Sequence, residues 1–379
     1  MNECDIAEIL GSGENSGVEF KSEEVHADAL AVEVVGMLNS EGGLIFLGVN
    51  DFGAVEGLSK SKEEWVANIS RNNINPPVSL QYETVVICSK TIGLIKVPKG
   101  KDKPYQTQQG RFYVRVGSTN RLASQIELMR LFQQAGYFHY DSLECPGVES
   151  NALDRSLIDK YFNEFAISFS SAEEEEKLDL MRGSEMISEN NIPTLAGLLV
   201  FGVAPQANLP QVGIHFAHFG CADITGHLID KQEMVGPLPR QIDNAMATIS
   251  SNLPRASDIQ GTKRVERAAY PATVFRELLV NACVHRNWAI EGSQIRVFLF
   301  SDRLEFRSPG RLPNTVSVEK LAKGVSAIRN PVIMRFLSNL RYMDRLGRGL
   351  PMVCKAAKDL GKNVFFEEVG EEFRVTLEL

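Results

Sequence analysis

Little in this 379-residue chain marks it for a membrane, the secretory route or cysteine chemistry. No apolar run approaches the ~20 residues needed to cross a bilayer. The acidic start, MNECDIAEILGSGENSG, lacks the apolar core of a secretory signal, so a mature cytoplasmic protein with no membrane partner is expected. The six cysteines (Cys4, Cys88, Cys145, Cys221, Cys283 and Cys354) lie far apart with no C-x-x-C pair. That spacing argues against zinc ribbons, thioredoxin-type chemistry and a disulfide framework. There is no Walker A run, no dinucleotide fingerprint and no nucleophile elbow. Excess positive charge is missing too: the net charge is −8, so any nucleic acid must be met by a local patch. His215 and His218 would face opposite sides of a strand, which argues against a shared metal. Trp65 and Trp288, the only tryptophans, read as packing residues, and Cys283 as a small buried hydrophobe.

What is present is an ordinary globular composition, 44% hydrophobic and 23% charged, in a chain long enough for two or three domains. Residues 28–38 read as an amphipathic helix and 44–49 as a buried strand. A helix near 61–73, strands at 79–88, 91–98 and 111–117, and a helix at 124–135 complete a first domain, residues 1–138. Pro146-Gly147 marks a linker within a connecting α/β segment, residues 139–265. In that segment 154–166 and 236–253 read as helices, and the acidic run at 173–176 as a solvated helix start or loop. Residues 194–203 and 211–219 read as a buried helix or strand pair. The last domain, residues 266–379, opens on a helix after Tyr270-Pro271. A hairpin at 294–300 and 304–307 follows, then helices near 317–322, 331–339 and 351–360, and a strand at 373–379. The fold class expected is multidomain α+β or α/β.

The most informative motif is Arg276-Glu277-Leu278-Leu279-Val280-Asn281-Ala282-Cys283-Val284-His285-Arg286. Glu277, Asn281 and His285 stand at i, i+4 and i+8, so one helix carries them as a stripe while its apolar neighbours bury the rest. Gly347-Arg348-Gly349-Leu350 then supplies a glycine turn opening a helix. A carboxylate, an amide and a phosphate-accessible backbone are what a Mg-nucleotide pocket needs.

With "YPATVFRELLVNACVHRNW", "SDRLEFRSPGRLP", "IRNPVI" and "DRLGRGLPMVCKAAKDLGK" in order, residues 270–379 resemble the divergent GHKL-type ATP-binding domain of bacterial ATP-binding transcriptional-regulator proteins. The resemblance implies an α/β sandwich that binds ATP with Mg²⁺ (or Mn²⁺). It assigns Asn281 to the metal and Glu277 to orienting a water. Gly347, Gly349 and the earlier Gly310 fall to the glycine boxes, with Arg345 and Arg348 as cationic neighbours. His285 and Arg286 belong to this family's version of the helix, with no role fixed. The aspartate that usually receives the adenine amine has no counterpart, because Ser308-Pro309-Gly310 stands there and Asp302 sits at the hairpin turn.

Gly13-Glu14-Asn15-Ser16-Gly17-Val18-Glu19-Phe20-Lys21, the run from Leu38 through Gly42-Gly43 to Asp51, and Gly110-Arg111-Phe112-Tyr113-Val114-Arg115-Val116-Gly117-Ser118 together resemble the Schlafen/AlbA-like domain, also called divergent AAA-4. Some members are metal-dependent endoribonucleases. The resemblance implies a carboxylate site of Glu14, Glu19 and Asp51 (Asn50 being the alternative) holding a divalent cation, with Lys21 beside the scissile phosphate. From the residues themselves, Lys99, Lys101, Lys103, Arg111, Tyr113 and Arg115 form a basic, aromatic-interleaved stretch suited to nucleic acid. Arg111, Tyr113 and Arg115 alternate along one strand face.

Three functions are consistent with these residues: an ATP-gated, metal-dependent RNase or DNase of defence type, an ATP-responsive DNA-binding transcriptional regulator, and a GHKL ATPase with a scaffold front domain. Relatives often continue into a winged helix, and an end at Leu379 favours the first. The partners expected are RNA or DNA, ATP and a second copy of the chain.

Overall fold

A strand built only of apolar residues needs cover on both faces, and residues 44–49 receive it. The computed structural model describes residues 3–253, 255–260, 263–268, 270–313, 316, 318–321, 324, 327–344 and 347–379, without side chains at 3, 4, 134, 255–260 and 263–268. It divides into two compact units, Met1–Tyr137 and Phe138–Leu379.

In the first unit the elements are α1 (Glu3–Ser12), β1 (Val18–Lys21), α2 (Ala27–Asn39), β2 (Gly43–Leu47), α3 (Glu63–Asn72), β3 (Ile74–Asn75), β4 (Gln81–Ile87), β5 (Lys90–Val97), β6 (Gln106–Thr107), β7 (Tyr113–Val116), β8 (Thr119–Leu122) and α4 (Gln125–Gln134). The main sheet has the order β1-β2-β5-β4, with β1 parallel to β2 and the other pairs antiparallel. Ile45 and Leu47 point into a core with Leu30, Val34 and Leu38 of α2. Phe46, between them, points the other way, into a cluster with Phe20 of β1 and with Ile6 and Leu10 of α1. Period-two alternation thus serves two cores at once. Helix α4 starts at a capping box in which Ser124 and Glu127 satisfy each other's backbone N–H.

The β7–β8 hairpin packs on α2, and this contact decides the fate of Arg115. Its side chain is 1% exposed, and Nη2 donates to Glu19 Oε2 at 2.7 Å, to Asn15 O at 2.7 Å and to Val18 O at 2.9 Å. Nη1 donates to Glu33 Oε2 at 3.3 Å. Arg115 therefore fastens the loop before β1 to the hairpin. A guanidinium satisfies several acceptors at once in a way that no ammonium does.

The second unit holds α5 (Arg155–Asn163), α6 (Glu174–Gly183), α7 (Leu195–Phe201), β9 (Ile214–Phe219), β10 (Leu228–Met234), α8 (Leu238–Asn252), β11 (Arg255–Gln260), β12 (Lys263–Ala268), α9 (Ala272–Val284), β13 (Ile295–Leu299), β14 (Arg303–Pro309), α10 (Val318–Leu321), α11 (Pro331–Asn339), α12 (Gly349–Asp359), β15 (Val364–Val369) and β16 (Glu372–Glu378). Its six-stranded sheet runs β10-β9-β13-β14-β16-β15, with β9 parallel to β13 and the remaining pairs antiparallel. The sheet thus draws strands from both sides of residue 265. Ile295, Val297 and Leu299 of β13 enter the main core with Leu278 and Leu279 of α9. Phe298 turns to the opposite face and meets Phe219 and Phe300. His215 pairs with Glu233 at 3.2 Å, whereas His218 meets Asn252 of α8 at 3.0 Å, so the two rings have separate partners. The fold is multidomain α+β, and no helix among the described residues is long and apolar enough to cross a membrane.

Replacing Arg115 by Met is expected to cost about 3–5 kcal/mol, because Glu19 Oε2 and the carbonyls of Asn15 and Val18 would be left buried without their donor, with only Lys21 still on Glu19 Oε1. Denaturant unfolding of the two proteins measures this; a loss below about 1 kcal/mol would show that the buried pair is not what holds the hairpin.

Candidate functional site

Helix α9 is apolar over most of its surface and packs against α8, α11, α12 and β14. Its polar stripe is left facing a cavity of about 170 Å³. Glu277, Asn281 and His285 line one wall, Gly347 and Gly349 another, and Ser308, Gly310, Arg311 and Arg329 the far end. Much of the remaining lining is apolar, including Phe306, Leu312, Met334 and Val375.

At the first end, Asn281 Nδ2 donates to Glu277 Oε1 at 2.9 Å, which leaves the amide oxygen to face another partner. Gly349 opens α12 against this pair. A Cβ built on it would stand 1.6 Å from Glu277 Oε1, so the close approach requires glycine. Arg348, at the cap, makes no side-chain capping hydrogen bond; in the first turn Pro351 carries no N–H and Met352 N donates to Arg348 O, which leaves the N–H groups of Gly349 and Leu350 to face an anion. Burial raises the Glu277 carboxyl above its ordinary range; the Asn281 hydrogen bond opposes this and the charge of Asp344 adds to it.

At the other end, Gly310 has φ +113°, and a Cβ there would lie 2.6 Å from both Arg329 Nη1 and Asn287 Cβ. Arg329 is buried, donates from Nη1 to His285 O at 2.6 Å, and donates from Nη2 to Arg311 O. Burial first, then the Arg329 charge, push the His285 imidazole down to about 4, so it is neutral at physiological pH. Ser308 Oγ donates to Ala282 O at 2.8 Å.

Other expected residues are placed elsewhere. Arg286 is fully buried, donates to Ile290 O and Ser293 O at 2.9 and 2.7 Å, and stacks on Trp288; it ties a turn together and does not line the cavity. Arg348 is exposed and pairs with Asp344 at 3.1 Å. Arg345 lies outside the described residues. Burial pushes the Cys283 thiol up to about 12, which keeps it protonated.

In the first unit, Glu19 and Lys21 meet each other and Glu33, a helix α2 residue that the motif spacing did not nominate. Burial alone would lower the Lys21 pKa, but the Glu19 hydrogen bond and the charges of Glu33, Glu19 and Glu14 together hold it above its usual range. Burial, and then Glu19, raise the Glu33 carboxyl. Glu14 Oε1 accepts from Phe20 N at 2.9 Å. Asp51 is exposed on the turn after β2. The set Glu14, Glu19 and Asp51 does not fit a divalent cation, since Arg115 and Lys21 already occupy the two Glu19 oxygens. Among the described residues, no group of three or more His, Cys, Asp and Glu side chains is arranged to hold a metal.

The basic stretch divides as well. Lys101 and Arg111 are exposed, and Lys99 is exposed beside Glu41. Lys103 is buried and donates to Ser40 O at 2.6 Å, Tyr113 is half-buried, and Arg115 is inside. The shared strand face expected for Arg111, Tyr113 and Arg115 is absent, because β7 begins at Tyr113 and its Arg115 side is covered by α2.

Comparison with known proteins agrees with the two halves. Residues 14–124 match the family described as "Schlafen, AlbA_2", and residues 292–377 match "Putative ATP-dependent DNA helicase recG C-terminal". The second match begins after α9. No curated protein matches the chain. Among solved structures, the DIP2311 protein of Corynebacterium diphtheriae is similar in fold, with a TM-score of 0.51 and 20% identity over 99% of this chain and 80% of that one. The N-terminal domain of a RecG-related protein from Nitrosomonas europaea aligns at 21% identity over 33% of this chain and 95% of that one, with a TM-score of 0.26. Residues 14–124 are thus similar to Schlafen/AlbA_2 domains, and residues 292–377 to the recG C-terminal family.

Because the folded-state pKa of Glu277 is raised, its contribution to stability is fully present below its unfolded pKa and is lost as pH rises through the folded one. At neutral pH the ionised carboxylate is therefore a cost. Glu277→Gln is expected to raise the melting temperature by a few degrees at pH 7–8, with the gain vanishing near pH 4. A gain independent of pH would contradict this.

Proposed function

We propose that the chain binds Mg-ATP in the α9–α12 cavity and engages nucleic acid through the exposed basic rim of its first unit, without cutting it. The observation that carries the reading is the meeting of Glu277 and Asn281 with Gly347 and Gly349, from segments distant in sequence, along one cavity. An uncapped helix N-terminus is a phosphate site. The Glu277 carboxylate stands at that end, so a triphosphate beside it needs a cation between. The donors fit Mg²⁺, which keeps most of its shell for water and phosphate and takes one or two protein oxygens; Asn281 Oδ1 is the one on offer. Bound there, the ion supplies charge neutralisation to the phosphates. Glu277, one turn away with a raised carboxyl, is the group to accept a proton from an attacking water.

In this reading residues 1–138 engage nucleic acid, 139–265 connect, and 266–379 hold the nucleotide. Lys99, Lys101 and Arg111 face the polyanion. DNA is the favoured partner, in keeping with the name of the matched C-terminal family. A cytoplasmic homo-oligomer whose nucleic-acid affinity follows its nucleotide state completes the proposal. Magnesium-dependent cleavage of DNA or RNA that is lost in Glu19→Gln would instead restore the nuclease reading.

Isothermal titration with Mg-ATP is expected to give saturable heat, and Asn281→Ala to weaken binding by about tenfold or more. No heat from the native protein sinks the nucleotide assignment. For the basic rim, Lys101→Ala and Arg111→Ala are each expected to lower the slope of log affinity against log salt by about one. Fluorescence anisotropy with a labelled oligonucleotide measures it, and slopes identical to native would place the contact elsewhere.

A further inference from the structure

Helix α11 does not cap itself. An asparagine stands at its N-cap, where that side chain ordinarily accepts from the first turn, yet Asn330 makes no such bond. Its amide is turned the other way: Nδ2 donates to Val284 O at 2.7 Å and to Arg286 O at 2.8 Å, two carbonyls at the C-terminal end of α9. The first turn of α11 is satisfied from 191 residues away. Asp141 Oδ2 accepts from Val332 N at 2.8 Å and from Ile333 N at 2.9 Å. Pro331 has no N–H to satisfy, and Met334 N donates to Asn330 O.

Asp141 is fully buried on a single helical turn, Tyr140–Ser142, that packs on α7 and α11. Burial pushes its carboxyl up to about 6, against the pull of those two backbone hydrogen bonds, so at neutral pH the charge is held there at a cost. Capping by Asn330 would have avoided burying a charge. What the remote carboxylate adds is a connection.

That connection joins two places. Arg329, immediately before Asn330, lines the nucleotide cavity and donates to His285 O at 2.6 Å and to Arg311 O. A ligand pressing on Arg311 or Arg329 therefore bears on the start of α11. The chain from 329 to 331 gives little slack, since Arg329 and Asn330 are buried and hydrogen-bonded and Pro331 has a fixed φ. At the other end, the first unit closes at Tyr137, a few residues before Asp141.

We propose that Asp141 is the positioning residue that couples the nucleotide cavity to the segment leaving the first unit, so that Mg-ATP changes nucleic-acid affinity through the Asp141–α11 contact. This inference rests on the nucleotide and nucleic-acid readings above. Removing the carboxylate cuts the connection without touching a residue that meets either ligand.

The affinity of the full chain for a labelled oligonucleotide is measured by fluorescence anisotropy with and without saturating Mg-ATP, and that for Mg-ATP by calorimetry with and without the oligonucleotide. In the native chain each ligand is expected to change the affinity for the other by the same factor, about tenfold or more. Asp141→Ala brings that factor close to one while each ligand still binds alone. Asp141→Asn, which keeps an oxygen for Val332 N and Ile333 N, retains most of it. The factor is a ratio within one protein, so a merely structural role for Asp141 would leave it at the native value. A native-sized factor in Asp141→Ala overturns the proposal. Should that variant fail to fold, inserting Gly-Ser-Gly-Ser between Tyr137 and Phe138 slackens the same segment and is expected to abolish the factor; a native-sized factor there overturns the proposal equally. If the native chain binds both ligands independently, the coupling falls and the two binding readings stand. If the native chain does not bind Mg-ATP, the nucleotide reading fails and takes the coupling with it.

Discussion

The burial of α9 is the constraint on which the second unit depends. Leu278, Leu279 and Cys283 sink into the main core beneath the six-stranded sheet, and that anchoring fixes how the polar stripe turns. The helix cannot rotate to hydrate Glu277 without exposing those side chains, at about 1.5–3 kcal/mol for each large one. Glu277 is thus held in a poorly solvated position, beside an amide and a glycine turn, and its raised carboxyl follows from the packing. Gly349 completes the arrangement from the other side, because any side chain there would expel the carboxylate. The same anchoring fixes the backbone at the helix's end, where Ala282 and His285 offer carbonyls to Ser308 and Arg329.

The first unit uses charge in the opposite way. Glu19 is as buried as a core leucine, and its oxygens are filled by the chain's own cations. A guanidinium with several fixed acceptors has little to gain from exchanging them for a phosphate. Charges that a sequence count assigns to a polyanion-binding face are spent on joining β1, α2 and β7. What remains for a partner is the set whose side chains reach solvent, led by Lys101 and Arg111.

Much of this was legible from local pattern. The run at 44–49, the helix before it and the stripe on α9 each carry their own periodicity, and each formed close to where that periodicity put it. The ambiguous apolar runs resolved by length and context: Leu195–Phe201 is a helix capped by Thr194, and Ile214–Phe219 a strand. Strand β10, LIDKQEM, went unread because it is an edge strand with mostly exposed side chains and no apolar alternation to betray it. Arg115 misled for a different reason. Alternation says which residues share a face but not which face is covered, and here the cover is α2, far off in sequence. Glu33 was missed for the same cause, since one acidic residue on an amphipathic helix looks like any solvated one. Arg286 follows this rule as well: adjacent to the stripe in sequence, it points a different way around the helix end and closes a turn.

Charge distribution within the cavity gives the two ends different roles. The Glu277 end carries a buried carboxylate, with Asp344 beside it paired to Arg348, so bare phosphate would meet Glu277 directly and a cation-bridged one is drawn in. The His285 end is cationic in its backing, through Arg329, but that charge is spent on the carbonyl oxygens of His285 and Arg311 and is buried. A triphosphate reversed in the cavity would therefore find neither an uncapped helix N-terminus nor a free cation among the described residues. It would find instead a neutral imidazole, a hydroxyl oxygen and apolar wall, which suit a heterocycle. Orientation of the ligand thus follows from which charges the fold leaves unspent, and that depends on the hydrogen bonds around α9.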